Sequence, residues 1–292
     1  MLPEASQQPT VSVVMITYGH EAFIAQAIRS VFSQKTFFPF ELIVSNDHSP
    51  DRTDEVIREV LSENHDNCEV HYINRASNLG MNRNFMQTLL QAKGKYIALL
   101  EGDDYWTDAF KLQKQIDYLE QHADCSGTFH LTQTVDVSGK VTGWFRPGYP
   151  AHRFTTVDTF RLSVLFHTSS FVYRNRDYKI TEDMVALPGL DMMLFSVVAE
   201  QGYLALLPEV MSAYRLHGGG ITSTNLNSQE KYHTNRIRIF ELLDVFFKGK
   251  YHKKINRIIG MHQRMLRGKH PYTVSYRVQL KLKKLFGIKV HE

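Results

Sequence analysis

The first hundred residues alternate short apolar runs with segments of helical spacing. Val11 to Ile16 (VSVVMI) is apolar at nearly every position and is closed by Gly19 and His20, the pattern of a strand buried on both faces. Phe23, Ile24, Ala27, Ile28, Val31 and Phe32 then recur three or four residues apart and predict a helix. The pair repeats twice more. Phe40–Val44 precedes Val56, Ile57, Val60 and Leu61, and Glu69–Ile73 precedes Phe85, Leu89 and Leu90. A fourth run, Lys95–Leu100, passes straight into Glu101-Gly-Asp-Asp104. Strand and helix taking turns at this spacing predict an α/β fold with a mostly parallel sheet and right-handed crossovers.

Beyond Asp104 the pattern loosens. Leu112, Ile116 and Leu119 predict one helix, and residues 124–160 predict shorter strands and loops. Tyr203–Leu207 and Val210–Arg215 predict two strands separated by Pro208-Glu209. From Gln229 onward, Ile237, Phe240, Leu243, Ile255, Ile258, Ile259 and Met265 predict two amphipathic helices. The simplest division is an α/β catalytic unit over residues 1–225 and a helical, basic appendage over residues 226–292.

Composition supports a folded protein. With 292 residues, 43% hydrophobic and 22% charged, the chain can bury a sizeable core and is not globally disordered. No apolar run approaches the roughly 18–20 residues that span a bilayer. Met1–Thr10 has neither the positive nor the apolar region of a signal peptide, and Cys68 and Cys125 are isolated thiols. These features predict a cytoplasmic location. The net charge of +4 is unevenly spread: Lys248–Glu292 holds 13 lysines and arginines against the single acid Glu292. Val278, Leu280, Leu282, Leu285, Phe286 and Ile288 interleave with those bases, so the tail can rest on the inner, anionic membrane surface, dock on the body or meet a partner chain. No nucleic-acid module accompanies the charge, which argues against nucleic-acid binding.

Candidate chemistry collects where such a sheet binds ligands, beyond the carboxyl ends of its strands. Thr17-Tyr18, Asn46-Asp47, Asn74–Asn84 and Glu101–Asp104 all fall there. Three carboxylates within four positions repel one another unless a cation compensates them, and hard oxygen donors suit Mg²⁺ or Mn²⁺. The plainer alternative is a solvated loop that caps the next helix. Asp47 can accept from the imide of a uracil ring and Tyr18 can stack on a base, or both can be turn residues. Asp191, ahead of the apolar stretch Met192–Ala199, is a candidate general base or a helix cap, with Glu182 and Asp183 as substitutes. In Tyr214-Arg-Leu-His-Gly-Gly-Gly220, Arg215 can pair with phosphate and His217 can complete a metal shell. His167–Ser170 can touch a sugar or satisfy backbone. Trp106 and Trp144 can stack on a sugar, although packing is the plainer role for Trp144.

VSVVMITY at 11–18, Asn46-Asp47-x-Ser49-x-Asp51, Asn78-x-Gly80 and YIALLEGDDYW at 96–106 occur in order and at familiar intervals over residues 10–225. Together they resemble the family 2 glycosyltransferases of the GT-A fold, especially bacterial polysaccharide and surface-glycan enzymes. The resemblance implies a nucleotide-sugar donor, a divalent metal on an Asp-x-Asp motif, and usually inversion at the anomeric carbon. It implies that Thr17, Tyr18 and Asp47 line the base, with Glu21 and Asn46 in the same donor-binding set. Asn78 and Arg83 would lie near the base or diphosphate, Glu101 and Gly102 would belong to the diphosphate site, and Asp103, the last acid of the metal motif, would hold the metal together with Asp104 beside it. The expected donor leans to a UDP-sugar and the acceptor to a polysaccharide or lipid-linked glycan. Three positions depart from the pattern: Glu101 replaces the first Asp, Asn46 stands where an acid is frequent, and Leu190 precedes Asp191 where an acidic pair is usual. A sugar-phosphate nucleotidyltransferase is the rival enzyme class, but Thr17-Tyr-Gly-His-Glu21 lacks the Gly-rich basic loop such enzymes carry. A non-catalytic glycan-binding or synthase-docking module is the third alternative.

Overall fold

The computed structural model describes residues 8–63, 68–145, 151–218 and 229–271. The predicted alternation is present: β1 (Val11–Thr17), α1 (Ile24–Phe32), β2 (Phe40–Asn46), α2 (Thr53–Leu61), β3 (Cys68–Asn74), α3 (Met81–Leu89) and β4 (Tyr96–Glu101) follow in turn. A two-residue strand β5 (Tyr105–Trp106) leads to α4 (Lys111–Gln121), β6 (Cys125–Val135), β7 (Val141–Phe145), β8 (Arg153–Phe154) and α5 (Thr156–Thr159). Then come β9 (Val172–Arg174), α6 (Glu182–Ala186), α7 (Leu190–Glu200) and β10 (Tyr203–Arg215), and finally α8 (Gln229–Phe246) and α9 (His252–Leu266).

The strands form one sheet in the order β3-β2-β1-β4-β9-β6-β10-β5, with β7 on β6 and β8 on β10. The first four are parallel, and their register sets Thr17 beside Asn46, Asn46 beside Asn74, and Ile16 beside Glu101. One edge of the sheet therefore gathers the polar end of every strand in this half. β9 enters antiparallel between β4 and β6, while β6 and β10 run parallel to each other.

Each face of the sheet has its own core. Val13, Met15, Leu42 and Val44 meet α1, α2 and α4 on one side. Val14, Ile97 and Leu99 join Phe129, Phe171, Phe195 and the helices α7, α8 and α9 on the other. This two-sided burial is why β1 and β2 read as unbroken apolar runs. α7 is buried nearly all round, from Met192 to Ala199, as an apolar helix without a polar stripe must be. Ile239, Phe240, Leu243, Ile255 and Ile258 of the last two helices belong to the same cluster as α7.

One element differs from expectation. β10 is a single 13-residue strand, where the sequence suggests two separated by Pro208-Glu209. Its pairing with β6 slips between Leu207 and Val210, so Pro208, which has no N–H to give, falls at an irregularity and the strand continues.

Candidate functional site

The acidic turn is fixed by three contacts. Gly102 N donates to Ile16 O at 3.0 Å, and a Cβ on Gly102 would lie 2.5 Å from Thr17 Oγ1. Only glycine lets the turn close against the end of β1. Immediately afterwards β5 pairs with Ser212 and Ala213 of β10, which brings the end of β10 alongside the turn. Arg215 N donates to Asp104 Oδ1 at 2.9 Å, Arg215 Nε donates to Asp103 O at 3.0 Å, and its Nη2 donates to Gln26 Oε1 at 2.6 Å. Arg215 is 4% exposed, and its guanidinium lies over the rings of Phe23 and Tyr105. The sequence offers Arg215 as a residue that can pair with phosphate. In the structure it faces inward and braces the turn, because the β5–β10 pairing places it behind the carboxylates.

Asp103 and Asp104, grouped by the sequence as two ligands of one metal, face different partners. Asp103 Oδ2 lies 3.0 Å from His217 Nε2 and 3.6 Å from His20 Nε2. Burial pushes the Asp103 carboxyl up, but the His217 hydrogen bond and the nearby His20 outweigh it and hold the group below its usual range. Asp104 is 1% exposed, with His167 Nδ1 3.5 Å from Oδ2. That oxygen has no hydrogen-bond partner among the described residues. Burial, then Asp103 and Glu101, raise Asp104 well above the carboxylate range, and burial, Asp103 and Asp191 push Glu101 up to about 8. Potential metal-ligating atoms accordingly fall into two groups: His20, Asp103 and His217, and Glu101, Asp104 and His167.

The residues assigned to the nucleotide sit along the parallel strand ends. Thr17 is buried, and its carbonyl accepts from Asp47 N at 3.0 Å. Tyr18 is 49% exposed, so a ring face is open to solvent. Asp47 is 2% exposed, with Oδ1 accepting from Leu79 N at 2.8 Å and Oδ2 from Gly80 N at 2.9 Å. Its carboxylate thus organises the loop before α3, a backbone role beside the base contact expected for it. Asn78 Nδ2 donates to Asp47 O, and Asn46 Oδ1 accepts from Ser49 N and Oγ. Glu21 Oε2 accepts from Arg52 N, and Arg83 is exposed on α3.

Asp191 is the second residue of α7, not its cap; Gly189, left-handed at φ 95°, takes that position. Burial raises the Asp191 carboxyl, opposed by the positive charge of Arg236 from α8 and by the backbone N–H groups at the helix start. The negative charge of Asp191 is the least of the three causes that raise the Glu101 carboxyl. Glu182 and Asp183 are exposed on α6.

Sequence reasoning missed His20 and underrated His167. His20 follows β1, at the sheet edge that should have drawn attention to it. His167 packs against Tyr214 with ring centroids 4.1 Å apart and the planes tilted by 35°, and burial lowers its pKa to about 4 against the pull of Asp103. Its Nδ1 is 3.0 Å from Ser169 Oγ, which donates to Ser212 Oγ, itself 3.0 Å from Thr132 Oγ1. Trp106 is 4% exposed, donates to Ser169 O and carries Lys111 Nζ over its ring at 4.1 Å, so it packs instead of presenting a sugar platform. Trp144, expected to pack, is 51% exposed on β7. Gly219, Gly220 and the basic segment from Val278 to Glu292 lie outside the described residues.

A family model described as Glycosyl transferase family 2 matches residues 12–179. The chain belongs to glycosyl transferase family 2. It is 34% identical over 225 residues to an uncharacterized protein of Mycobacterium tuberculosis, a match that covers 77% of this chain and 64% of that relative. The chain thus spans just under two thirds of that relative's length. Among solved structures, S. aureus TarS in complex with UDP-GlcNAc superposes with a TM-score of 0.61 at 18% identity, over 87% of this chain and 72% of that one. The mannosyltransferase PcManGT from Pyrobaculum calidifontis, in complex with GDP-Man and Mn²⁺, gives a TM-score of 0.58 at 15% identity, over 82% and 65% of the two chains. As a member of glycosyl transferase family 2, the protein has the mixed α/β GT-A architecture, with the C-terminal helices α8 and α9 after it.

Proposed function

We propose that the protein is an inverting, metal-dependent glycosyltransferase that moves a sugar from a nucleotide-diphospho-sugar, UDP-linked in the first instance, to a polysaccharide or lipid-linked glycan. The observation that carries this reading is the placement of Asp103, between two imidazoles at the carboxyl edge of β4. The donor set fits a divalent cation: Asp103 offers a carboxylate of depressed pKa and His217 an imidazole nitrogen 3.0 Å from it. Asp103 and His217 would hold Mn²⁺ or Mg²⁺, with Asp104 and Arg215 bracing the turn. When bound, the ion supplies Lewis-acid neutralisation of the leaving diphosphate. Nucleotide-sugars are bound by the structural neighbours TarS and PcManGT, which supports a donor of this class.

The chain's own residues would divide the work. Tyr18 offers a ring to the base, and Asp47 ties down the Leu79–Gly80 backbone ahead of α3. Asp191 takes the proton of the acceptor hydroxyl as that oxygen bonds to the anomeric carbon, while the bond from that carbon to the diphosphate oxygen breaks on the opposite side. Inversion follows from that in-line arrangement. The raised pKa of Asp191 suits a base whose strength must approach that required near neutral pH.

The test is a panel of UDP- and GDP-sugars, each with and without Mn²⁺, read as nucleoside diphosphate release and as donor binding. The expected result is metal-dependent binding and slow hydrolysis of one donor. No binding of any nucleotide-sugar in either condition would refute the reading.

A further inference from the structure

We propose that His20 is a third protein ligand of the divalent-metal site, which makes it a two-imidazole, one-carboxylate centre selective for transition-metal ions over Mg²⁺. The proposal rests on the metal-dependent reading above. His20 Nε2, Asp103 Oδ2 and His217 Nε2 converge, with potential ligand atoms all within 4.8 Å of one another. The two nitrogen-to-oxygen separations, 3.6 and 3.0 Å, compare with the roughly 3 Å between adjacent ligands when each stands about 2.1 Å from an octahedral ion.

The other side of the His20 ring is also organised. Nδ1 lies 3.0 Å from Thr17 Oγ1, and a proton on Nδ1 donated to that oxygen leaves the Nε2 lone pair directed at Asp103. Histidines that bind metals are oriented by this kind of bond from their far nitrogen. The backbone around the ring is tied down as well. His20 N donates to Thr53 Oγ1 at 2.9 Å, Gly19 N to Ser49 Oγ at 3.0 Å, and Glu21 N to Asp51 Oδ2 at 3.0 Å. The side chain is 17% exposed and meets His217 edge-on, with ring centroids 6.1 Å apart.

Ligand type then sets metal preference. Mg²⁺ favours carboxylates, phosphates and water, whereas imidazole nitrogens favour later first-row ions. Two imidazoles against one carboxylate therefore place Co²⁺ and Zn²⁺ ahead of Mn²⁺, and Mn²⁺ ahead of Mg²⁺. Three protein ligands leave positions open for diphosphate oxygens.

The test measures metal binding directly, without donor, on the full-length protein stripped with chelator. Free Mn²⁺ is followed by electron paramagnetic resonance, Co²⁺ by its visible absorption, and Mg²⁺ by competition. His20→Ala and His20→Asn are compared with wild type, and thermal melts check that each variant is folded. The second variant retains a polar side chain in case the alanine unfolds. The expected result is a loss of about 10- to 100-fold in Mn²⁺ and Co²⁺ affinity, a changed Co²⁺ spectrum and little change for Mg²⁺. If folded His20 variants bind Mn²⁺ within twofold of wild type with the same Co²⁺ spectrum, His20 is not a ligand and the metal reading stands. If wild type itself binds no divalent ion, with or without UDP, both fall together.

Discussion

Asp47 and Asp103 both follow strands in the parallel half of one sheet, yet they are built for different tasks. Asp47 has each carboxylate oxygen answered by a backbone N–H, from Leu79 and Gly80, and is 2% exposed. Asp103 has one oxygen set between two imidazole nitrogens and a side chain 16% exposed. The first acid is a structural acceptor that shapes a loop; the second presents an oxygen where other ligand atoms converge. Position at a strand end marks an acid as a candidate, and the atoms that answer it decide what it does.

The comparison can be broken most severely at Asp103. Asp103→Ala should lower transfer by about 10³-fold and abolish metal-dependent donor binding, measured by calorimetry with and without Mn²⁺. Equal donor affinity in the two conditions for both proteins would remove the distinction. Next in size is Asp191→Asn, expected to reduce kcat by about 10²- to 10⁴-fold while donor binding holds. Wild-type turnover in that variant would eliminate Asp191 as base. In the wild type, the base works deprotonated and burial raises its pKa, so kcat/KM should fall on the acid side at a pH above the usual carboxylate range.

At Asp47 the expected effect is on folding. Asp47→Ala removes the acceptor of the half-buried Leu79 N–H and one of two acceptors of Gly80 N–H, and should lower stability by about 1 kcal/mol, read from urea unfolding, with metal affinity unchanged. A loss of Mn²⁺ affinity in a folded Asp47→Ala protein would merge the two regions into one. The smallest effect belongs to Arg236→Met. Removing this positive charge should shift the acid limb of kcat/KM to higher pH, since Arg236 opposes the rise in the Asp191 pKa. An unmoved limb would show that α8 leaves the base untouched.

The parallel half of the fold was legible because β1, β2 and β4 are buried on both faces, which writes these strands as largely apolar runs. The site's polar residues were legible for the same topological reason, as breaks at the ends of those runs. β10 was split in reading because Pro208 signals a stop, and its bulge cannot be inferred from one strand alone. Arg215 was read as a partner for phosphate, and its position against Asp103 and Asp104 depends on the β5–β10 pairing, a contact distant in sequence. His20 stayed hidden for a related reason: a lone histidine after a strand acquires chemical meaning only when the end of β10 folds back to set His217 beside it.

Arg236 stands on α8, while the acid it acts upon opens α7. Because α8 also shares its apolar core with α7, the two late helices cannot serve as an interchangeable handle on an otherwise complete catalyst. Grafting the end of one family member onto the body of another would replace the electrostatic neighbour of the base and part of its packing in a single stroke. Recombination across this junction should therefore succeed only between parents that match at both helices.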